Sequence, residues 1–395
     1  MPQKPRTLLL ILTLACASAV AAPFTPATDA EVVERLPAGA TDPAVRRVDS
    51  LRKQLAARPG DSALRLEIAR RYFDMAMAQG DPRYVGYASA AIAPLAQATP
   101  NDAGYWLTRG LIQQYSHDFE GALKSLDRAS ELDPNAPEPV AWRGAIHMVQ
   151  ARYPQALSEC TRLVALAHPL YAQSCTAYVQ ASTGHLKEAY GALSQDLADA
   201  GAIAPELALW VHTRLAEMAI RLQRTDEAQK HFDEAFRLGV TDQFLLGAYA
   251  DFLLQQKRPA EVMKLLAEWE RSDILLLRLA LAGKAAGDAR AKGWAGQLED
   301  RFQAAAQRGD RLHEQEAARF ELDVEGRAAQ ALDLASRNYA AQKEPRDAEI
   351  LLRSALAANK PAAAQPAMDW LRASDYEDPA LAALAAQLVA TGAKR

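Results

Sequence analysis

Residues 103–136, AGYWLTRGLIQQYSHDFEGALKSLDRASELDPNA, carry the pattern that decides the fold. Trp106, Leu107, Gly110 and Tyr115 mark a first helix, and Phe119, Ala122, Leu126 and Ala129 a second. The second set recurs at three- and four-residue steps, the spacing of an amphipathic helix. Asp133-Pro134 then stops the second helix, because a proline ring clashes with the preceding turn. The pattern returns along the chain. Gly110 recurs as Gly144 and Ala177, Phe119 as Tyr153 and Leu186, and Ala122 as Ala156 and Ala189. Glycine or alanine at such places lets two helices approach closely, so a larger residue at Gly110 is expected to splay the pair.

This period and these residues resemble the tetratricopeptide repeat, a helix-turn-helix unit of about 34 residues. The clearest repeats are 103–136, 137–169 and 170–203. Ala228 and Ala235 continue the pattern after a short insertion around GAIAPE. Further helix pairs are read at about 61–98, 243–270, 273–308, 312–342 and 346–374, with few signature residues. No run of alternating β-branched residues with hairpin turns occurs, so strand is not expected. The resemblance implies an all-α fold, a right-handed superhelical α-solenoid of antiparallel helix pairs. The array is expected over 45–395, with a capping helix at about 378–391.

A chain of 395 residues, half of them apolar, can bury a large core. In a repeat array that core runs between neighbouring units, which predicts one elongated body. The amino terminus reads differently. Lys4 and Arg6 precede an apolar run from Leu8 to Ala15 and small residues ending at Ala21, the pattern of a secretory signal peptide over 1–21. An N-terminal extension is assigned to 22–44. Lipid attachment at Cys16 is disfavoured, because Thr13 stands where a lipobox favours leucine. Cleavage removes Lys4 and Arg6 and no acid, taking the formal charge from −4 to −6. That charge suits neither a phosphate backbone nor anionic lipid, so nucleic acid is not an expected partner. The apolar run is too short for a permanent membrane span. The expected compartment is the periplasm.

Two cysteines then remain. Cys160 falls on the second helix of one repeat and Cys175 on the first helix of the next, so a disulfide and two buried thiols both stay open. Seven histidines, at 117, 147, 168, 185, 212, 231 and 313, form no closely spaced sequence pair, and His313-Glu314-Gln315-Glu316-Ala317 lacks the second histidine of a zinc motif. There is no nucleophile elbow, Walker loop or dinucleotide-binding glycine cluster. Ser50 and Lys53 satisfy S-x-x-K without companion motifs, and Met75 and Met77 point to different helix faces. No catalytic residue, metal ligand or cofactor is assigned, and the chain is read as non-enzymatic.

The resemblance implies that the first helix of each unit faces a concave groove. It places Leu107, Leu111, Tyr115, Met148, Tyr171, Tyr178, Trp210 and Phe244 there, a set rich in aromatic contact area. The lysine and asparagine clamp of some tetratricopeptide cochaperones is absent, with Leu107, Leu111, Ala141 and Ala145 at its positions. The expected function is a scaffold that binds a protein or peptide through this groove, in envelope assembly or secretion. A polysaccharide-associated protein and a metal-handling accessory protein are the alternatives.

Overall fold

A computed structural model describes residues 43–97, 101–240 and 242–392. The leader at 1–21 and nearly all of the extension at 22–44 lie outside the described residues. Among the described residues there is no strand, and the unit from Arg47 onward is built of helix hairpins. After α1 (Pro43–Ala57) come the pairs α2/α3 (Ser62–Gln79, Arg83–Ile92), α4/α5 (Ala103–Tyr115, Phe119–Leu132) and α6/α7 (Pro137–Val149, Tyr153–Leu163). They continue as α8/α9 (Pro169–Ala181, Leu186–Asp199), α10/α11 (Pro205–Arg221, Thr225–Arg237), α12/α13 (Gln243–Gln255, Pro259–Leu265) and α14/α15 (Asp273–Ala286, Ala291–Gln307). The last helices are α16 (Glu314–Arg319), α17 (Ala328–Ala341), α18 (Pro345–Ala357), α19 (Gln365–Ser374) and α20 (Pro379–Gly392). The array is therefore all-α and of tetratricopeptide type.

Local chemistry sets the helix ends. Asp102 and Asp118 accept hydrogen bonds from the N–H groups of Tyr105 and Gly121, both at 3.0 Å, satisfying donors that the first turn leaves open. Proline opens α6, α8, α10, α13, α18 and α20, where its missing N–H costs nothing. The turns inside the hairpins repeat as well. His117, Ala151, Gly184, Gln223 and Lys257 all have positive φ. In each case the next residue's N–H returns to a carbonyl five residues back, as Asp118 does to Gln113 at 2.9 Å and Arg152 to His147 at 2.8 Å. This left-handed closure reverses the chain and satisfies carbonyls at the helix end.

Packing follows the small residues unevenly. A Cβ placed on Gly110 would meet Leu126 Cγ at 2.8 Å, whereas one on Gly144 would have its nearest contact at 3.5 Å. The buried Arg143 of α6 pairs with Glu159 of α7 within its own hairpin and with Asp127 of α5 in the hairpin before, both at 2.8 Å. Cys160 of α7 and Cys175 of α8 are joined by a disulfide, with their Cα atoms 5.4 Å apart.

The array curls back on itself. Gln342 Nε2 donates to His117 Nε2 at 2.9 Å, and the Lys343 N–H donates to the Val149 carbonyl at 2.7 Å. Trp370 Nε1 donates to the Tyr153 hydroxyl at 2.9 Å, and the Leu186 N–H donates to Glu377 at 2.5 Å. Arg221 completes the series, donating to the Glu377 carbonyl at 2.9 Å with its guanidinium 3.8 Å above the Tyr376 ring. The carboxyl-terminal helices thus lie against the hairpin turns of α4/α5 through α10/α11. At the other end Gly80 abuts Gln243 and Ser272, leaving no room there for a Cβ. In place of the expected open, elongated array, the superhelix is closed.

Candidate binding site

Closure leaves an inner chamber of ≈ 1010 Å³ walled by the first helices of successive hairpins. Helical periodicity builds each wall. Tyr171, Cys175 and Tyr178 form a stripe on α8, and Leu207, Trp210 and Arg214 one on α10. α6 contributes Trp142, Ala145 and Met148, and α12 contributes Phe244. The rings of Tyr171 and Trp210 lie 5.6 Å apart, inclined by 36°. Burial pushes the hydroxyl pKa values of Tyr171 and Tyr178 upward, so both remain neutral donors at ordinary pH.

A second chamber of ≈ 680 Å³ shares Tyr178, Arg214, Phe244 and Glu344 with the first. Its character is charged. Asp251 bridges Arg278 at 2.5 Å and Arg319 at 2.8 Å, Arg353 meets Asp323 at 2.5 Å, and Arg346 meets Glu344 at 2.7 Å. Burial alone would raise the Asp251 pKa, yet the two guanidinium groups outweigh it and hold the carboxyl below its ordinary range. Arg214 stands at the junction, paired with Glu217 at 2.8 Å and 4.9 Å from the centre of the Tyr178 ring. Its Nε is buried and has no hydrogen-bond partner. An aromatic chamber opening onto fixed charge favours an amphipathic occupant.

Five residues assigned to the groove from sequence, Met148, Tyr171, Tyr178, Trp210 and Phe244, line the apolar chamber. The other three do not line that chamber. Leu111 is fully buried, and Leu107 packs with Phe119, Leu126 and Ile146 in the hairpin core. Tyr115 sits edge-on to Phe73 with ring centres 6.5 Å apart, and burial followed by the acids Asp81 and Asp273 raises its pKa. Asp273 belongs to α14, far along the chain, so closure brings a distant acid toward the inner end of α4, which no repeat pattern encodes. Trp142 and Arg214 were missed. Trp142 lies two three-residue steps before Met148, and Arg214 lies one turn beyond Trp210, so helical spacing was the available signal.

Among the described residues no three His, Cys, Asp or Glu side chains gather as a metal cluster. Sequence spacing nevertheless concealed one histidine pair. His212 of α10 and His231 of α11, 19 residues apart, bring their Nδ1 atoms to 3.2 Å. Burial, with His212 beside it, lowers the His231 pKa to about 4.

The fold and the chamber together define an all-α helix-hairpin protein with an internal aromatic site. No protein-family model matches the sequence, and no curated protein matches it. Several solved structures are similar. The type IV pilus biogenesis factor PilW shares 19% identity over 61% of this chain and 94% of its own, with a TM-score of 0.37. Yeast Tom70 shares 14% identity over 90% of this chain and 87% of its own, with a TM-score of 0.40. Pseudomonas aeruginosa pilF shares 17% identity over 51% and 92%, with a TM-score of 0.36. No residue role is carried over from them. Among the described residues no helix is long and apolar enough to cross a membrane.

Proposed function

We propose that this chain is an exported, non-enzymatic scaffold that takes an apolar segment of a protein partner into the inner chamber. The aromatic lining carries this reading. Trp142, Tyr171, Tyr178 and Trp210 come from three consecutive hairpins and converge on one space large enough for several side chains. Rigid aromatic groups supply contact area at low entropic cost, and helix-hairpin arrays use their inner surfaces for extended or helical peptides. The adjoining Arg214 and Glu344 would orient a polar end of the same segment. A periplasmic site of action, in envelope assembly or secretion, fits the leader-like residues 1–21, and the Cys160–Cys175 disulfide suits an oxidising compartment.

Selection of displayed peptides against the purified chain, followed by calorimetry of those recovered, tests the reading. Recovered peptides are expected to be rich in apolar side chains and to bind one per chain. Trp210→Ala is expected to weaken them by at least about 2 kcal/mol, the loss typical of a central aromatic anchor. Affinity unchanged by both Trp210→Ala and Tyr171→Ala, or saturable binding of purified glycans alone, would remove the chamber from the account. Fractionation of cells expressing the full chain tests export. Retention in the cytoplasm would contradict the proposed compartment.

A further inference from the structure

The aromatic chamber carries hydrogen-bonding capacity as well as contact area. Trp142, Tyr171, Tyr178 and Trp210 each bring one polar ring atom to its lining. Among the described residues none of these two indole N–H groups and two hydroxyls has a hydrogen-bond partner, and none is sealed from solvent. An indole N–H only donates, and a tyrosine hydroxyl has one proton to give. His168 at the rim accepts from the Leu170 N–H through Nδ1 at 3.2 Å, so in the neutral ring its Nε2 is a donor too. The carboxylates of the lining are already engaged. Glu138 accepts from Arg70 at 2.7 Å, Asp74 lies 4.0 Å from the same arginine, and Glu344 meets Arg346 at 2.7 Å. Asp242 accepts from the Leu245 N–H at 2.8 Å. The uncommitted hydrogen bonds of the chamber are therefore donors.

We propose that the segment taken into the chamber is extended and free of acidic side chains, its backbone carbonyls accepting from Trp142, Tyr171, Tyr178 and Trp210. The inference rests on the reading of the chamber as a peptide site and adds the conformation and charge of the occupant. An extended chain offers a carbonyl at every residue, whereas a helix commits all but its last four to its own ladder. A helix would cover the four donors with apolar side chains and leave them unmet, which opposes binding. Charge excludes acids. Four carboxylates line the chamber against one arginine, Arg214, which Glu217 already holds at 2.8 Å. An incoming carboxylate would enter a partly desolvated space with no uncommitted cation to meet it. A neutral carbonyl meets the same donors without that penalty.

Calorimetry of the oxidised chain with one peptide recovered by selection, acetylated and amidated at its ends, tests the inference. Locking that peptide as a helix with a hydrocarbon staple is expected to weaken binding at least about tenfold. Replacing its central apolar residue by glutamate is expected to cost at least about tenfold more affinity than replacing it by glutamine. On the protein, Tyr171→Phe combined with Tyr178→Phe keeps both rings and removes two donors, so the double variant is expected to bind at least about tenfold more weakly. Circular dichroism of the variant distinguishes lost binding from lost folding. Unchanged affinity in the double phenylalanine variant, or a stapled or glutamate-bearing peptide that binds as tightly as its control, would overturn the inference. If Trp210→Ala still weakens binding in that case, the chamber remains the peptide site. Binding insensitive to Trp210→Ala, or no recovered peptide at all, would remove the chamber reading and this inference with it.

Discussion

Gly110 and Gly144 stand at the same place in consecutive hairpins, yet their surroundings differ. A methyl group at Gly110 would press on Leu126 at 2.8 Å and on the Ala122 carbonyl at 3.3 Å, while at Gly144 it would make ordinary contact. Gly110→Ala is therefore expected to destabilise by about 1–3 kcal/mol through overpacking. Gly144→Ala is expected to be neutral, or to stabilise by up to about 1 kcal/mol through helix propensity. Denaturant melts of the two variants separate these outcomes. The sequence marked both positions as close approaches, but only the facing side chain decides how close. A buried ion pair is a second residue-scale case. Burial opposes charge on both His313 and Glu316, yet their ion pair, with Nδ1 and Oε2 3.8 Å apart, raises the His313 pKa and lowers that of Glu316 to about 2. The raised His313 pKa stabilises fully below about pH 6.5 and loses that contribution as pH climbs through the folded value. The lowered Glu316 pKa stabilises above about pH 4.5 and loses its contribution as pH falls toward 2. Stability measured against pH is expected to flatten on the alkaline side in His313→Gln.

At the scale of the helix hairpin, the turn is the most regular device in the chain. His117, Ala151, Gln223 and Lys257 hold left-handed backbone without being glycine, a conformation that costs a side-chain-bearing residue about 1–2 kcal/mol. Lys257 is exposed, so its side chain has little packing to lose. Lys257→Gly is expected to raise the melting temperature, and Lys257→Val to lower it, because a β-branched residue is strained there. These turns were hard to see in sequence, since only Gly184 of the five positions is a glycine. The helices were easier. Small residues spaced by 33 and 34, with Asp and Pro at the helix starts, leave little choice of structure over 103–203. The outer hairpins show the period without the signature residues. Their closing helices are instead held by long-range contacts such as Trp370 with Tyr153.

For the molecule as a whole, periodicity identified the all-α array and most of one wall of the chamber but not the closure that shapes it. Stripes such as Tyr171, Cys175 and Tyr178 follow from spacing alone. The burial of Leu111 and the contacts of His117 with Gln342 and of Leu186 with Glu377 do not, because they join units more than 150 residues apart or depend on how far the superhelix turns. Closure is also what makes an open groove into a chamber, so the functional reading rests on it. Small-angle scattering from the unit spanning 47–395 measures it directly. A closed array is expected to give a radius of gyration of about 20 Å, that of a compact body of this length. A value several ångströms larger, with the long pair distances of an extended solenoid, would contradict the account.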